Sequence, residues 1–416
     1  MAMVWYEVKK ILLRPSCQIA LLLLLFLSGR FCVQVMWGSE SAYWVNEDGD
    51  IETGYAAMQN LREAQKEWSG TLDQELLENA LAELKQLDAE GDTHPEDPDY
   101  AYKRSQGLQS IRNLLNHAFK GSYTWKYEDY YLAETVEPEQ LPHFYENRIN
   151  QLKDWLYDET STGYRKYSEQ EKQYLISCYE SLETPFEVNY TTGWDMAFRV
   201  SYYIILYGSI LMAFFTSGIF ANESRWKADS IYFSTELGRK KGTAAKLMAG
   251  FSFTTVVYWT ILLTVNLIVL CCMGFEGANS PIQSDYHFWY SIYNIIFSQR
   301  SILALLDGYL LWMFLSAFVM LVSALSSSVS LAVIVPSLLM LGTNFLDRNS
   351  SVGEMSKILM LFPHKMTTVY MNEPIVLYSV FGKIMPPITI QRVLYSCLAV
   401  LMTILCYHVF RRKQIR

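Results

Sequence analysis

The sequence has six histidines, and none has a second histidine or a cysteine at zinc-ligand spacing. It has no G-x-x-x-x-G-K-[ST] loop to cradle a nucleotide and no G-x-S-x-G elbow to seat a nucleophile. Of its seven cysteines, six (Cys17, Cys32, Cys271, Cys272, Cys397 and Cys406) lie in or beside apolar runs. Cys178 stands alone in the polar part, so that part has no internal disulfide and must be held by packing. No enzyme activity, metal or resident cofactor is expected from these residues.

Charge is missing from long stretches. Val200–Phe220 has no Asp, Glu, Lys, Arg or His over 21 positions, and Leu247–Phe275 has none over 29. A helix needs about 20 apolar residues to cross a bilayer, so both runs read as spans. Ser16–Trp37 (with Arg30 inside), Ser301–Leu325 (with Asp307 inside), Val329–Phe345 and Val393–Phe410 bring the expected number to six. Lys9, Lys10 and Arg14 ahead of Ile19–Leu27 would suit a secretion signal, but no small-residue cleavage site follows. An uncleaved first span is expected.

The charge that is present is segregated. Residues 38–196 hold 32 acidic and 13 basic residues, whereas the remainder holds 10 acidic and 21 basic. Thirteen Lys and Arg fall near the span ends on the side shared by the termini, against six in the two shorter opposite loops. Both termini are therefore expected in the cytoplasm of a multi-pass cell-membrane protein, with residues 38–196 extracellular.

The fold expected is an all-α membrane protein. An interfacial helix at 1–15, with Val4, Trp5, Val8, Ile11 and Leu12 at helical spacing, precedes a first transmembrane helix at 16–37. A mostly helical domain at 38–196 follows, then five further spans in 197–416 with a cytoplasmic loop at 221–245. An outer return at 347–392 is half apolar (Ile358–Phe362, Ile375–Phe381), so short helices dipping into the membrane boundary are expected there. Within 38–196, Thr71-Leu-Asp-Gln74 and Ser168-Glu-Gln-Glu171 match the capping-box pattern. Leu72, Leu76, Leu77, Leu81, Leu84 and Leu87 form one apolar stripe behind the first. This domain is expected to fold independently, with its dense Tyr and Trp residues as core. Arg30 and Asp307, costly at membrane depth, either snorkel to the outer interface or are candidates for a translocation path or for an ion pair with each other.

The loop residues Phe220-Ala-Asn-Glu223, Ser234-Thr-Glu-Leu-Gly238-Arg-Lys-Lys241 and Ala245-Lys246 resemble the permeases of type-2 ATP-binding-cassette exporters. The resemblance covers about residues 1–37 and 197–416; the large insert between the first two spans departs from the simplest members. It implies that Glu223, Trp226, Tyr232, Phe233, Leu237, Gly238, Arg239, Lys240 and Lys241 couple the chain to a separate soluble ATPase. Two ATPase copies would carry ATP and Mg, a second permease subunit, identical or homologous, would complete the pathway, and a peptide, drug or lipid-like molecule would be exported. The lipid bilayer is the remaining partner; no nucleic acid is expected. A membrane receptor, sensor or immunity protein whose outer domain binds a peptide is the competing class, disfavoured by the absence of any cytoplasmic region beyond short loops.

Overall fold

Runs without charge satisfy their backbone in lipid only by closing every N–H onto a carbonyl of the same segment, which makes them helices. The structure, a computed structural model, describes residues 2–38, 43–94, 96–97, 99–123, 130–225, 238–347, 354–368 and 375–413. Five of its helices are long and apolar enough to cross a membrane: Pro15–Trp37, Thr192–Glu223, Gly238–Met273, Phe297–Ser326 and Pro387–Arg412. The chain is a membrane-embedded, mostly helical protein. The remaining expected span, Val329–Phe345, lies in the helix Val329–Asp347, whose described apolar part, Val329–Gly342, is shorter than the other five.

Thr192–Glu223 is the hub of the bundle, with 78% of its most apolar window buried, against 17% for Pro387–Arg412 at the edge. Apolar side chains gain little by leaving lipid for one another, so close backbone approach and interhelical hydrogen bonds carry the packing. A Cβ on Gly308 would stand 2.5 Å from Ile205 Cδ1 and 2.6 Å from Tyr258 Oη. Tyr258 donates to Leu305 O (2.6 Å), Trp312 Nε1 to Ile205 O (3.1 Å) and Asn266 Nδ2 to Ser201 Oγ (2.8 Å). Ser326-Ser-Ser328 forms a tight turn after Phe297–Ser326. Ser327 is left-handed at φ 54°, and Lys413 donates to its hydroxyl and to Ala324 O.

The head, residues 43–191, stacks helices Tyr55–Lys66, Gln74–Gly91, Gln109–Phe119, Phe144–Tyr157 and Glu169–Glu180. The leucine stripe faces inward, with Leu77, Leu81, Leu84 and Leu87 all buried. Ser168 and Glu171 form the expected capping box. Thr71 does not cap: it pairs with Glu187 in a two-stranded ribbon, and Asp73 caps instead by accepting from Leu76 N at 3.0 Å.

The expectation of an independent head fails in one respect: its core is completed from outside. Trp289 and Tyr290, from the loop between the third and fourth spans, are 0% and 1% exposed within it, beside Leu377 from the later return. Arg148 secures the loop by donating Nε to Trp289 O (2.7 Å) and Nη2 to Ser291 O (2.9 Å), with its guanidinium 3.9 Å from the centre of the Tyr179 ring. Burial holds the Arg148 pKa below its ordinary value. The return is also corrected. Glu354–Met360 is a short helix, but Val376 and Leu377 are buried and Tyr378–Val380 pairs with Lys383–Met385 as a hairpin. Phe381 (φ 50°) and Gly382 (φ 78°) make its two-residue turn. Trp125 and Tyr127 lie outside the described residues.

Two outcomes follow for the head. Trp289→Ala in the full chain should cost about 3–5 kcal/mol, the usual range for emptying such a site. Faster proteolysis within 43–191 would show it, and an unchanged digestion rate would contradict a shared core. His117 is buried with Nδ1 2.9 Å from Asn113 O, and burial, aided by the Lys120 charge, pushes its pKa down to about 4. Because folding favours the neutral ring, its contribution is complete above the unfolded pKa of about 6.5 and is lost as pH falls towards 4. Melting temperature should fall across that window, and His117→Asn should flatten the part above pH ~5, where few carboxylates titrate.

Candidate functional site

The end of the bundle opposite the head gathers charge from three separated segments. Ala2–Leu12 is a helix of its own, since Arg14 is extended (ψ 129°) and Pro15 opens the next. Ile11 is buried in the bundle core with Val4 and Val8 packed against it, while Trp5 is 67% and Leu12 39% exposed. The face turned to the bundle also carries Glu7 and Lys10.

There they meet Lys246, on the helix Thr243–Met273, and Glu223, on the helix Gly218–Arg225. Lys246 Nζ lies 2.6 Å from Glu223 Oε1 and 3.0 Å from Glu7 Oε2. Lys10 Nζ lies 3.3 Å from Glu7 and 3.6 Å from Glu223. The side chains of Lys246, Glu223 and Glu7 are 1%, 8% and 12% exposed. A cation this buried is tolerated only with carboxylates against it, and two flank it here. Arg14 completes the cluster, and among the described residues its Nε and Nη1 are buried without a hydrogen-bond partner.

The ion pair thus closes the mouth of the loop 221–245, whose two ends are Glu223 and Lys246 in all but name. Gly238–Gly242 forms a π-helical turn leading into Thr243–Met273, with Lys240 and Lys241 exposed, Arg239 half-buried, and Thr243 Oγ1 donating to Arg239 O at 2.8 Å. Trp226, Tyr232, Phe233 and Leu237 lie outside the described residues. Sequence reasoning missed Glu7, Lys10 and Arg14 as members of the cluster. Glu7 and Lys10, three residues apart on one helical face, were the available signal.

The expected Arg30–Asp307 pair does not form. Arg30 is exposed and donates to Gln34 Oε1, one turn on (2.8 Å). Asp307 is 3% exposed and accepts Nε and Nη2 of Arg392 at 2.7 and 2.9 Å, tying Phe297–Ser326 to Pro387–Arg412. Nearer the head, Asp195 holds both Arg199 (2.6 Å) and the buried Arg300 (3.0 Å). The Arg300 guanidinium lies between the rings of Phe198 and Phe288, 3.8 and 4.1 Å from their centres. No cluster of three or more metal-ligating side chains occurs among the described residues.

Lys246→Gln removes the most buried cation of the cluster and leaves Glu7 and Glu223 with the more exposed Lys10 and with Arg14, and should cost about 3 kcal/mol. Glu223→Gln combined with Lys246→Gln should recover part of that loss, because the two act on one network. Thermal melting of the purified protein reads both; a double variant no more stable than Lys246→Gln would remove the pair from the account.

No protein-family model, curated protein or solved structure matches this chain, so the role of the site rests on its own chemistry.

Proposed function

We propose that the chain is the membrane-spanning permease subunit of an ATP-binding-cassette exporter, set in the cell membrane with both termini cytoplasmic and the head outside. The observation that carries the reading is the Glu7–Glu223–Lys246 cluster. A loop with slack ends absorbs a push; one whose ends are drawn together by a buried ion pair passes it on to the helices they belong to. Residues 221–245 are such a loop, with their basic turn at Arg239, Lys240 and Lys241 and their apolar residues Trp226, Ile231, Tyr232, Phe233 and Leu237. Since the sequence has no phosphate-binding loop, the push comes from soluble ATPase subunits that carry ATP and Mg.

In this reading two permease subunits, identical or homologous, alternate between inward- and outward-facing states, and a peptide, drug or lipid-like molecule is exported. The Asp307–Arg392 pair is a charged latch between two spans that has to shift for them to separate. Arg30, exposed on the single chain, reaches the membrane boundary or faces the second permease subunit.

Docking supplies the test. Aromatic anchors filling a groove carry most of such an interface, while exposed charges chiefly steer. Tyr232→Ala or Phe233→Ala should each cost about 2 kcal/mol, roughly thirtyfold in affinity for the ATPase. Co-purified ATPase and substrate-stimulated ATP hydrolysis should drop more in these variants than in Lys240→Ala. Equal co-purification in all three, with transport intact, would mean that no motor docks at this loop.

A further inference from the structure

The second span keeps one strip of side chains out of the packed bundle. Arg199, Tyr203, Tyr207, Ile210 and Phe214 follow one another at steps of three or four residues, which lines them up along one face of the helix Thr192–Thr216. Each is half-buried or exposed, Tyr207 at 41%. Phe31 of the first span walls the strip on one side, its ring 5.1 Å from that of Tyr203 and 5.7 Å from that of Tyr207. Among the described residues neither tyrosine hydroxyl makes a hydrogen bond.

Tyrosine is common at the membrane boundary, where its hydroxyl meets water. Tyr207 lies deeper, about 10 Å along the helix from Val200, where the charge-free run begins. A hydroxyl left among acyl chains there would lack a partner, at a cost in free energy.

The outer end of the strip is charged. Arg199 lines the cleft of about 470 Å³ where the head meets the bundle. It shares Asp195 with the buried Arg300, at 2.6 and 3.0 Å, so two guanidinium groups face one carboxylate. Asp285, the carboxylate in the cleft wall, is engaged by His287 Nδ1 at 2.8 Å. The Arg199 side chain is still 38% exposed, which leaves donors of its planar fork open to a second anion. Below it come the two hydroxyls, and below those Ile210 and Phe214 are wholly apolar.

A guanidinium, then hydroxyls, then hydrocarbon is the complement of an amphiphile with an anionic head. We propose that this strip binds such a molecule, with its carboxylate or phosphate on Arg199, its head-side oxygens on the Tyr203 and Tyr207 hydroxyls, and its tail along Ile210 and Phe214. That the same class is the exported cargo rests on the permease reading above; the binding does not.

The test is photolabelling of the full chain in nanodiscs of phosphatidylcholine, with adducts mapped by mass spectrometry. Four probes carry a diazirine in the acyl chain: palmitate, its methyl ester, phosphatidylglycerol and phosphatidylcholine. The expected result is saturable labelling within Tyr203–Phe214 by palmitate, by phosphatidylglycerol or by both, the two arms separating a free fatty acid from a membrane lipid. The ester and phosphatidylcholine should label there about tenfold less, and Arg199→Gln should weaken the anionic probes about tenfold. Asp195 keeps Arg300 in that variant, so the junction retains an ion pair. Lys383→Gln, which removes an exposed cation near the outer end of the last span, should change nothing. No ATPase is present, so failure here is distinct from failure of the motor to dock. Equal labelling by neutral and anionic probes, anionic labelling unchanged by Arg199→Gln, or no saturable labelling of the strip (as when a second copy covers it) would overturn the proposal.

Discussion

One buried ammonium organises the end of the bundle opposite the head. Lys246 is 1% exposed, and its charge is bearable only because Glu223 and Glu7 lie within 2.6 and 3.0 Å. Those carboxylates come from different places in the chain, so the ion requires three segments to meet. The helix Ala2–Leu12 is held against the bundle even though it leaves Trp5 and Leu12 exposed. The ends of the loop 221–245 are brought together by the same contact. Replacing such a cluster with well-packed apolar residues often costs nothing in stability. Its value is in fixing one arrangement, which suits the proposed coupling of this loop to an ATPase.

At the other end, packing does the work that charge does here. The head has no disulfide and takes Trp289, Tyr290 and Leu377 from segments that follow the second span. Arg148 binds that borrowed loop through the carbonyls of Trp289 and Ser291 and lies over the Tyr179 ring, with no carboxylate among its hydrogen-bond acceptors in the described residues. Asp195, Arg199 and Arg300 sit just below, joining the second span to the fourth. Head and bundle are thereby joined through buried groups as well as through the chain itself. A movement of the fourth span reaches Trp289 within a dozen residues of sequence.

The spans are legible in the sequence because a long uncharged run needs no partner to become helix in lipid. Ser301–Leu325 as read and Phe297–Ser326 as formed differ only at the ends. The leucine stripe and the Ser168 capping box are legible for the same reason, since both are decided within a few residues. What depends on distant partners is not. Thr71 loses its capping role to Asp73 because Glu187, far along the chain, engages it in a ribbon. Asp307 takes Arg392 and not Arg30 because helix rotation, invisible in a run of uniform hydrophobicity, turns Arg30 outward. Ile375–Phe381 is apolar enough to enter a membrane, yet the head offers it a closer apolar partner. Of the candidate site, Glu223 and the basic turn were readable from their place after the second span. Glu7, Lys10 and Arg14 were not, because only the fold brings them to Lys246.

As proposed, this chain works as the membrane half of a motor-driven assembly. The most direct measurement is the mass of the intact complex extracted gently from the membrane in which the chain naturally resides. Two copies of a permease paired with two copies of a soluble ATPase that carries a phosphate-binding loop are expected. A chain that comes out alone, or with partners none of which binds ATP, would contradict it.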